Sequence, residues 1–359
     1  MTKQPLMGDP EIADIRPGDE QDWAALERYL REIVDDLPGD AMQVRQFPNG
    51  SANLTYLVMF GEHKLVVRRP PRGAVAAGAH EMGREFRVLS RLWSSYPRAP
   101  RALAYCDRND VLDAPFLVIE YRSGAVIRSE LPTPMRHRPH VGAAISNAFV
   151  EAVADLHLVD PDNCDLGELG RPTGFAERQL RGWRMRWHAC RPDGGTTAMD
   201  KLADLLERDI PEPSRVSLVH NDLKLDNCQF APDDPTTVRT VFDWDMTTLG
   251  DPLIDLGTLL SYWPTAGHLG AAARQLWPGQ DRMGLWSRAQ LCDAYAELTG
   301  LDVSRIHWYE AFGGWKTAVA LQQLANRALH GHTQDERLAH YADIVPIAAT
   351  AAMQTLESS

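Results

Sequence analysis

The spacing of apolar residues changes once along the chain, and that change restricts the fold more than any other feature. From Gln43 to Pro70 the apolar residues suit strands: QVRQF, a turn at PNGSAN, LTYLVMF, a turn at GEH, then KLVVRR. RALAYC and APFLVIEY add two strands, and only the stretch from His80 to Trp93, with Met82, Phe86, Leu89 and Leu92, interrupts them at helical period. Beyond Ser123-Gly124 the period is helical, as in the series Val141, Ile145, Phe149, Val153 and Leu156 and the run AVALQQLANRAL. Strands first and helices after predict an α+β architecture. The 359 residues exceed what one core holds, so two lobes are expected, bilobal like a protein kinase: a small β-sheet N-lobe with one main helix and a larger, mainly helical C-lobe.

The expected boundaries are a loosely held leader at 1–20, an N-lobe at 21–122 that binds nucleotide, and a C-lobe at 123–359 that carries catalysis and substrate binding. A short amphipathic helix, with Trp23, Leu26, Leu30, Ile33 and Val34, opens the N-lobe and stops at Pro38-Gly39.

The formal charge of -12 argues against a nucleic-acid partner or an anionic membrane held by a general basic field. No apolar run approaches the roughly 20 residues that span a bilayer, and the first 20 residues lack an apolar export core. The five cysteines show no metal or redox spacing, so a reduced, cytoplasmic setting is expected.

The chemistry concentrates in two short runs, SLVHNDLKLDNCQF and TVFDWDMTTLGDPLIDL. His220, Asp222, Lys224 and Asn227 match the H-x-D-x-K-x-x-N order of a kinase catalytic loop, and Asp243 follows an apolar strand. Phosphoryl transfer needs a carboxylate to orient the attacking hydroxyl and oxygen ligands to hold Mg²⁺ on the phosphates. Singly, each residue reads as a turn former or a cap; in order, around a short hairpin, they read as a phosphotransfer site.

These runs closely resemble the aminoglycoside phosphotransferase family, which includes choline-kinase-like and other small-molecule kinases. The form DW-x-x-x-T-x-GDP-x-x-DL is most similar to the kinase modules associated with acyl-CoA dehydrogenases. The resemblance extends from about Gln43 to the C-terminal helices. It implies an ATP- and Mg²⁺-dependent enzyme that phosphorylates an alcohol group of a small molecule. By that resemblance Asp222 is the base or hydroxyl-orienting group, Asn227 and Asp243 are the Mg²⁺ ligands, His220 braces the loop and Lys224 touches the transferring phosphate. Asp245, Asp251 and Asp255 are expected to fix the local backbone and cap the next helix.

For the nucleotide, the loop Asn49 to Asn53, with Ser51 and Asn53, stands where the family covers the phosphates, though it lacks a full G-x-G-x-x-G. Arg68 falls where these kinases carry lysine, with Arg69 as a substitute, and Glu85 is its expected carboxylate partner. Arginine keeps the charge but not the geometry of lysine. Glu120 and Tyr121 end FLVIEY where a hinge would read adenine. Arg178, Arg181 and Arg184 recur at i, i+3 on one helix, either a solvated face or a patch for an anionic substrate such as a hydroxyacyl-CoA. The alternatives are a non-catalytic nucleotide-binding pseudokinase, an aminoglycoside or amino-alcohol kinase, and a protein kinase, although no activation segment follows Asp243.

Overall fold

The computed structural model describes residues 12–47, 53–70, 82–192, 197–265, 270–331 and 336–357. In chain order the elements are α1 (Trp23–Ile33), β1 (Met42–Gln46), β2 (Leu54–Phe60), β3 (His63–Arg69), α2 (Met82–Leu92), β4 (Ala102–Cys106), α3 (Asn109–Leu112), β5 (Phe116–Glu120) and β6 (Ala125–Val126). Then come α4 (Val141–Leu158), α5 (Phe175–Cys190), α6 (Ala198–Arg208), β7 (Ser217–Val219), β8 (Cys228–Ala231), β9 (Asp234–Val241) and β10 (Thr248–Gly250). Five helices close the chain: α7 (Leu253–Tyr262), α8 (Ala271–Leu276), α9 (Arg288–Thr299), α10 (Ile306–Leu329) and α11 (Tyr341–Glu357).

The chain divides into two compact units. The first comprises Met1–Val126, Asp162–Leu166 and Cys228–Thr247. It is built on an antiparallel sheet in the order β1-β2-β3-β5-β4, with β6, β8 and β9 forming a second, smaller sheet. Tyr56, Val58 and Phe60 of β2 and Leu65 and Val67 of β3 are almost fully buried, and they pack with Leu26 and Leu30 of α1. Alternation on β3 therefore sends Leu65, Val67 and Arg69 to the buried face and Arg68 to the other. Asp22 caps α1 by accepting from Ala25 N–H at 2.8 Å. The expected loose leader is tied down over its described residues: Ala13 bridges Gln46, and the hydroxyl of Tyr56 donates to Asp19 O at 2.8 Å.

The second unit comprises Ile127–Pro161, Gly167–Asn227 and Thr248–Ser359, and holds the β7-β10 pair and helices α4 to α11. By length and composition α4 could cross a membrane, with mean hydropathy 1.2, but 67% of its residues are buried inside the protein. At the core of this unit α7 and α10 meet at glycine. A Cβ placed on Gly257 would lie 2.3 Å from the carbonyl of Tyr309, and one on Gly313 would lie 2.6 Å from Gly257 O. Backbone cannot retreat as a flexible side chain can, so Gly257→Ala is expected to destabilise the fold by about 1–3 kcal/mol through overpacking. A thermal melt checks this, and Gly182→Ala, where a Cβ meets nothing within 4 Å, is the control.

Candidate active site

The second unit carries the loop His220 to Asn227 directly after β7. Its first residues are fastened by one fully buried carboxylate, Asp255 on α7. Oδ2 of Asp255 accepts from His220 N–H and Oδ1 from Asn221 N–H, both at 2.6 Å. His157 Nε2 lies 3.2 Å from the same Oδ2, while its Nδ1 contacts the Tyr295 hydroxyl at 2.7 Å. Burial alone would raise the pKa of Asp255, but the hydrogen bond from His157 and the donors around it hold it below the ordinary carboxylate value. Just before α7, Asp251 fixes its own surroundings in the same way, accepting from Leu253 N–H at 3.0 Å and from the Tyr309 hydroxyl at 2.6 Å.

Within the loop, His220 is fully buried, and its Nδ1 accepts from Asp222 N–H at 3.3 Å. Asp222 reaches solvent with 23% of its side chain. Its Oδ2 takes Nδ2 of Asn227 and Nζ of Lys224, each at 3.0 Å, and its backbone carbonyl takes Asn227 Nδ2 at 2.8 Å. Asn227 thereby spends its amide hydrogens on Asp222, which orients its amide oxygen away from that carboxylate. Burial works against the Lys224 ammonium, but Asp222 and Asp226 outweigh it and hold the lysine pKa well above its usual value. Lys224 also lies 5.6 Å from the ring centroid of Tyr262. Lys224 lines a narrow recess together with Phe149, Tyr262, Trp263 and Trp277.

The first unit carries Arg68, Glu85 and Asp243. Arg68 Nη1 pairs with Glu85 Oε1, and Nη2 with Asp243 Oδ1 at 2.8 Å, so one guanidinium joins two carboxylates. Glu85 is fully buried. Burial pushes its pKa up to about 7, with Arg68 pulling the other way and Asp243 and Asp245 adding to the rise. Asp243 stands two residues beyond β9 with φ at +68°, a left-handed conformation that costs a non-glycine residue energy. Its segment is anchored on both sides: Arg84 of α2 donates to Thr247 O at 3.1 Å, and Val241 N–H donates to Arg98 O at 2.9 Å.

Other expected residues fall as follows. Asn53 is 4% exposed, and neither polar atom of its side-chain amide has a partner among the described residues, whereas Ser51 lies outside them. An amide left unpaired in this way costs about 1–3 kcal/mol unless a ligand supplies the missing bonds. Arg69 does not stand in for Arg68; from the opposite face of β3 it donates to Leu112 O at 2.6 Å and to Gln21. Glu120 is engaged by Arg122 and by Arg101 N–H at 2.8 Å, and its own N–H goes to Arg101 O. Lys64 covers the Tyr121 ring at 5.1 Å. On α5 the expected arginine face is largely spent locally: Arg184 pairs with Asp204 and Glu207 of α6, and Arg178 with the Thr173 and Arg171 carbonyls.

For Mg²⁺ the donor chemistry fits. The amide oxygen of Asn227 in the second unit and the carboxylate of Asp243 in the first are each a hard oxygen donor of the kind that Mg²⁺ takes from a protein.

The family follows from this loop and the sheet that precedes it. The model of the phosphotransferase enzyme family (APH) matches residues 43–291, and the chain belongs to that family. Acyl-CoA dehydrogenase family member 11 of Homo sapiens is 28% identical over 353 residues, covering 96% of this chain and 44% of the relative. Family member 10 of Mus musculus is 28% identical over 312 residues, covering 86% and 28%. The chain thus spans less than half the length of these relatives. A Ralstonia eutropha chain provisionally assigned to the aminoglycoside phosphotransferases superposes with a TM-score of 0.74 at 26% identity, covering 93% of this chain and 99% of that one. APH(4)-Ia in a ternary complex with AMP-PNP and hygromycin B gives 0.58 at 15% identity, covering 93% and 98%, and shares the fold.

Sequence reasoning missed His157, Tyr262 and Lys316, which lie in helices whose apolar periodicity gives a polar residue no functional signature. The i, i+98 pairing of His157 with Asp255 has no local signal at all.

Proposed function

We propose that this phosphotransferase-family chain moves the γ-phosphoryl group of Mg-ATP onto a hydroxyl of a small molecule. The observation that carries the reading is the preorganised Asp222 carboxylate, partly open to solvent yet tied to Asn227 and Lys224. Asp222 orients the acceptor hydroxyl; the hydroxyl oxygen bonds to the γ-phosphorus as the bond to the β,γ-bridging oxygen breaks, the proton passes to Asp222, and ADP leaves. Lys224 meets the transferring phosphoryl group, and Asn227 and Asp243 would hold Mg²⁺, which supplies charge neutralisation on the phosphates. Arg68 and Asn53 would face the triphosphate and the backbone near Glu120 and Tyr121 the base, with 21–122 serving the nucleotide and 123–359 catalysis and the acceptor. The five cysteines form no disulfide, in keeping with the cytoplasmic setting proposed here.

The relatives named for acyl-CoA dehydrogenase support a hydroxyacyl-CoA acceptor. Mass spectrometry of a panel incubated with the protein and Mg-ATP tests this: phosphorylated 4-hydroxyacyl-CoA thioesters are expected, and transfer to aminoglycosides or amino alcohols alone would overturn the acceptor class. Chelating the metal with EDTA is expected to abolish turnover.

One observation favours a second reading as a nucleotide-binding pseudokinase: Arg68 holds the very carboxylate that Mg²⁺ would need. Calorimetry showing Mg-ATP binding without any phosphoryl transfer across the panel would establish it.

A further inference from the structure

Lys316 stands in the middle of α10 and is 6% exposed. Burying an ammonium is costly unless it is paired or hydrogen-bonded. Its Nζ donates to the backbone carbonyl of Asn221 and lies 5.7 Å from the centroid of the Trp183 ring, which also carries the Arg186 guanidinium at 4.5 Å. Asn221 takes φ at +68°, and it directly precedes Asp222. Its N–H is held by Asp255 Oδ1 at 2.6 Å. Residue 221 is therefore gripped at both ends, by a carboxylate from α7 on its N–H and by an ammonium from α10 on its carbonyl. That carbonyl belongs to the peptide unit whose nitrogen is Asp222 N, so holding it sets the plane from which the Asp222 side chain departs.

We propose that Lys316 is a positioning residue for Asp222, acting through the Asn221 carbonyl to hold the carboxylate in its reactive orientation. The proposal rests on the phosphotransfer reading above. It explains why a lysine stands where the surrounding positions of α10, Trp315, Ala318 and Val319, are fully buried and apolar. Asp222 and Asp255 favour the charged amine, whereas burial, Lys224 and Arg186 oppose it, and the net effect lowers the lysine pKa. A neutral amine still donates a hydrogen bond, so the clamp survives loss of that proton.

The test compares Lys316→Met, which keeps the length without a donor, with Lys316→Gln, which keeps an N–H on a shorter stem. Two readouts are taken on the full chain: amide hydrogen exchange over residues 217–227 and steady-state hydrolysis of Mg-ATP. Lys316→Met is expected to speed exchange at the loop by about tenfold, with α4 and α11 unaffected, reporting local rather than global opening. It is expected to lower kcat about 10²-fold while KM for ATP stays within about twofold, since only an interaction expressed in the transition state is lost. Lys316→Gln should fall between Met and the wild type. In an Asp222→Asn background the further loss should be under about threefold, because the two residues act as one unit. Unchanged loop exchange, equal losses in both backgrounds, or neither variant folding would overturn the proposal. A wild-type chain that turns over no ATP would instead count against the phosphotransfer reading, and the exchange data would still decide whether the clamp exists.

Discussion

Asp222→Asn is expected to lower the turnover of Mg-ATP by on the order of 10² to 10⁴, the contribution of a positioned base. The replacement keeps a carbonyl oxygen that can accept from Asn227 Nδ2, as Oδ2 does now at 3.0 Å, so the loop should hold its shape. Nucleotide affinity by calorimetry is therefore expected to stay within a few-fold of the parent, separating lost chemistry from lost binding. A variant as active as the parent would remove Asp222 from the reaction, and one that no longer binds nucleotide would show that the carboxylate holds the site together instead.

The largest expected effect on stability belongs to Glu85. In Glu85→Ala the Arg68 guanidinium, 13% exposed, loses a fully buried carboxylate and keeps only Asp243. Breaking a buried ion pair from one side typically costs about 3–5 kcal/mol because a charge is left uncompensated. The contribution of Asp243 places this variant near the lower end, and denaturant unfolding measures it. The double replacement Arg68→Met with Glu85→Leu removes both charges, and by the same reasoning is expected to restore most of the stability. On the phosphotransfer reading it should nevertheless bind nucleotide poorly. A single Glu85→Ala variant as stable as the parent would show that the pair contributes nothing net.

Much of the first unit could be read from residue order. Strands β1 to β5 coincide with the alternating runs to within about two residues, because each half-buried strand repeats its environment every second position. α1, α2 and α4 likewise announced themselves by the 3.6-residue recurrence of apolar side chains. The β8-β9 hairpin was legible from the motif around it, though β9 ends at Val241 and Asp243 lies beyond it in a left-handed turn. β7 is legible as a strand, but nothing in SLV indicates that it pairs with β10. The arginines of α5 left two readings open for a physical reason: i, i+3 spacing places side chains on one face but says nothing about helix α6, whose Asp204 and Glu207 pair with Arg184.

Residue order alone marked out the loop from His220 to Asn227 and the strand-then-helix layout, because each depends on local spacing, and the family resemblance pointed to the pairing of Arg68 with Glu85 that the structure shows. Only the tertiary structure decided that Arg68 also holds Asp243, that Arg69 turns the other way, and that Lys316 and Asp255, the latter paired with His157, grip the loop. Those contacts join residues from 34 to 175 positions apart. Which distant partner a buried polar group finds is settled by the packing of whole helices and strands, and no short-range pattern encodes it.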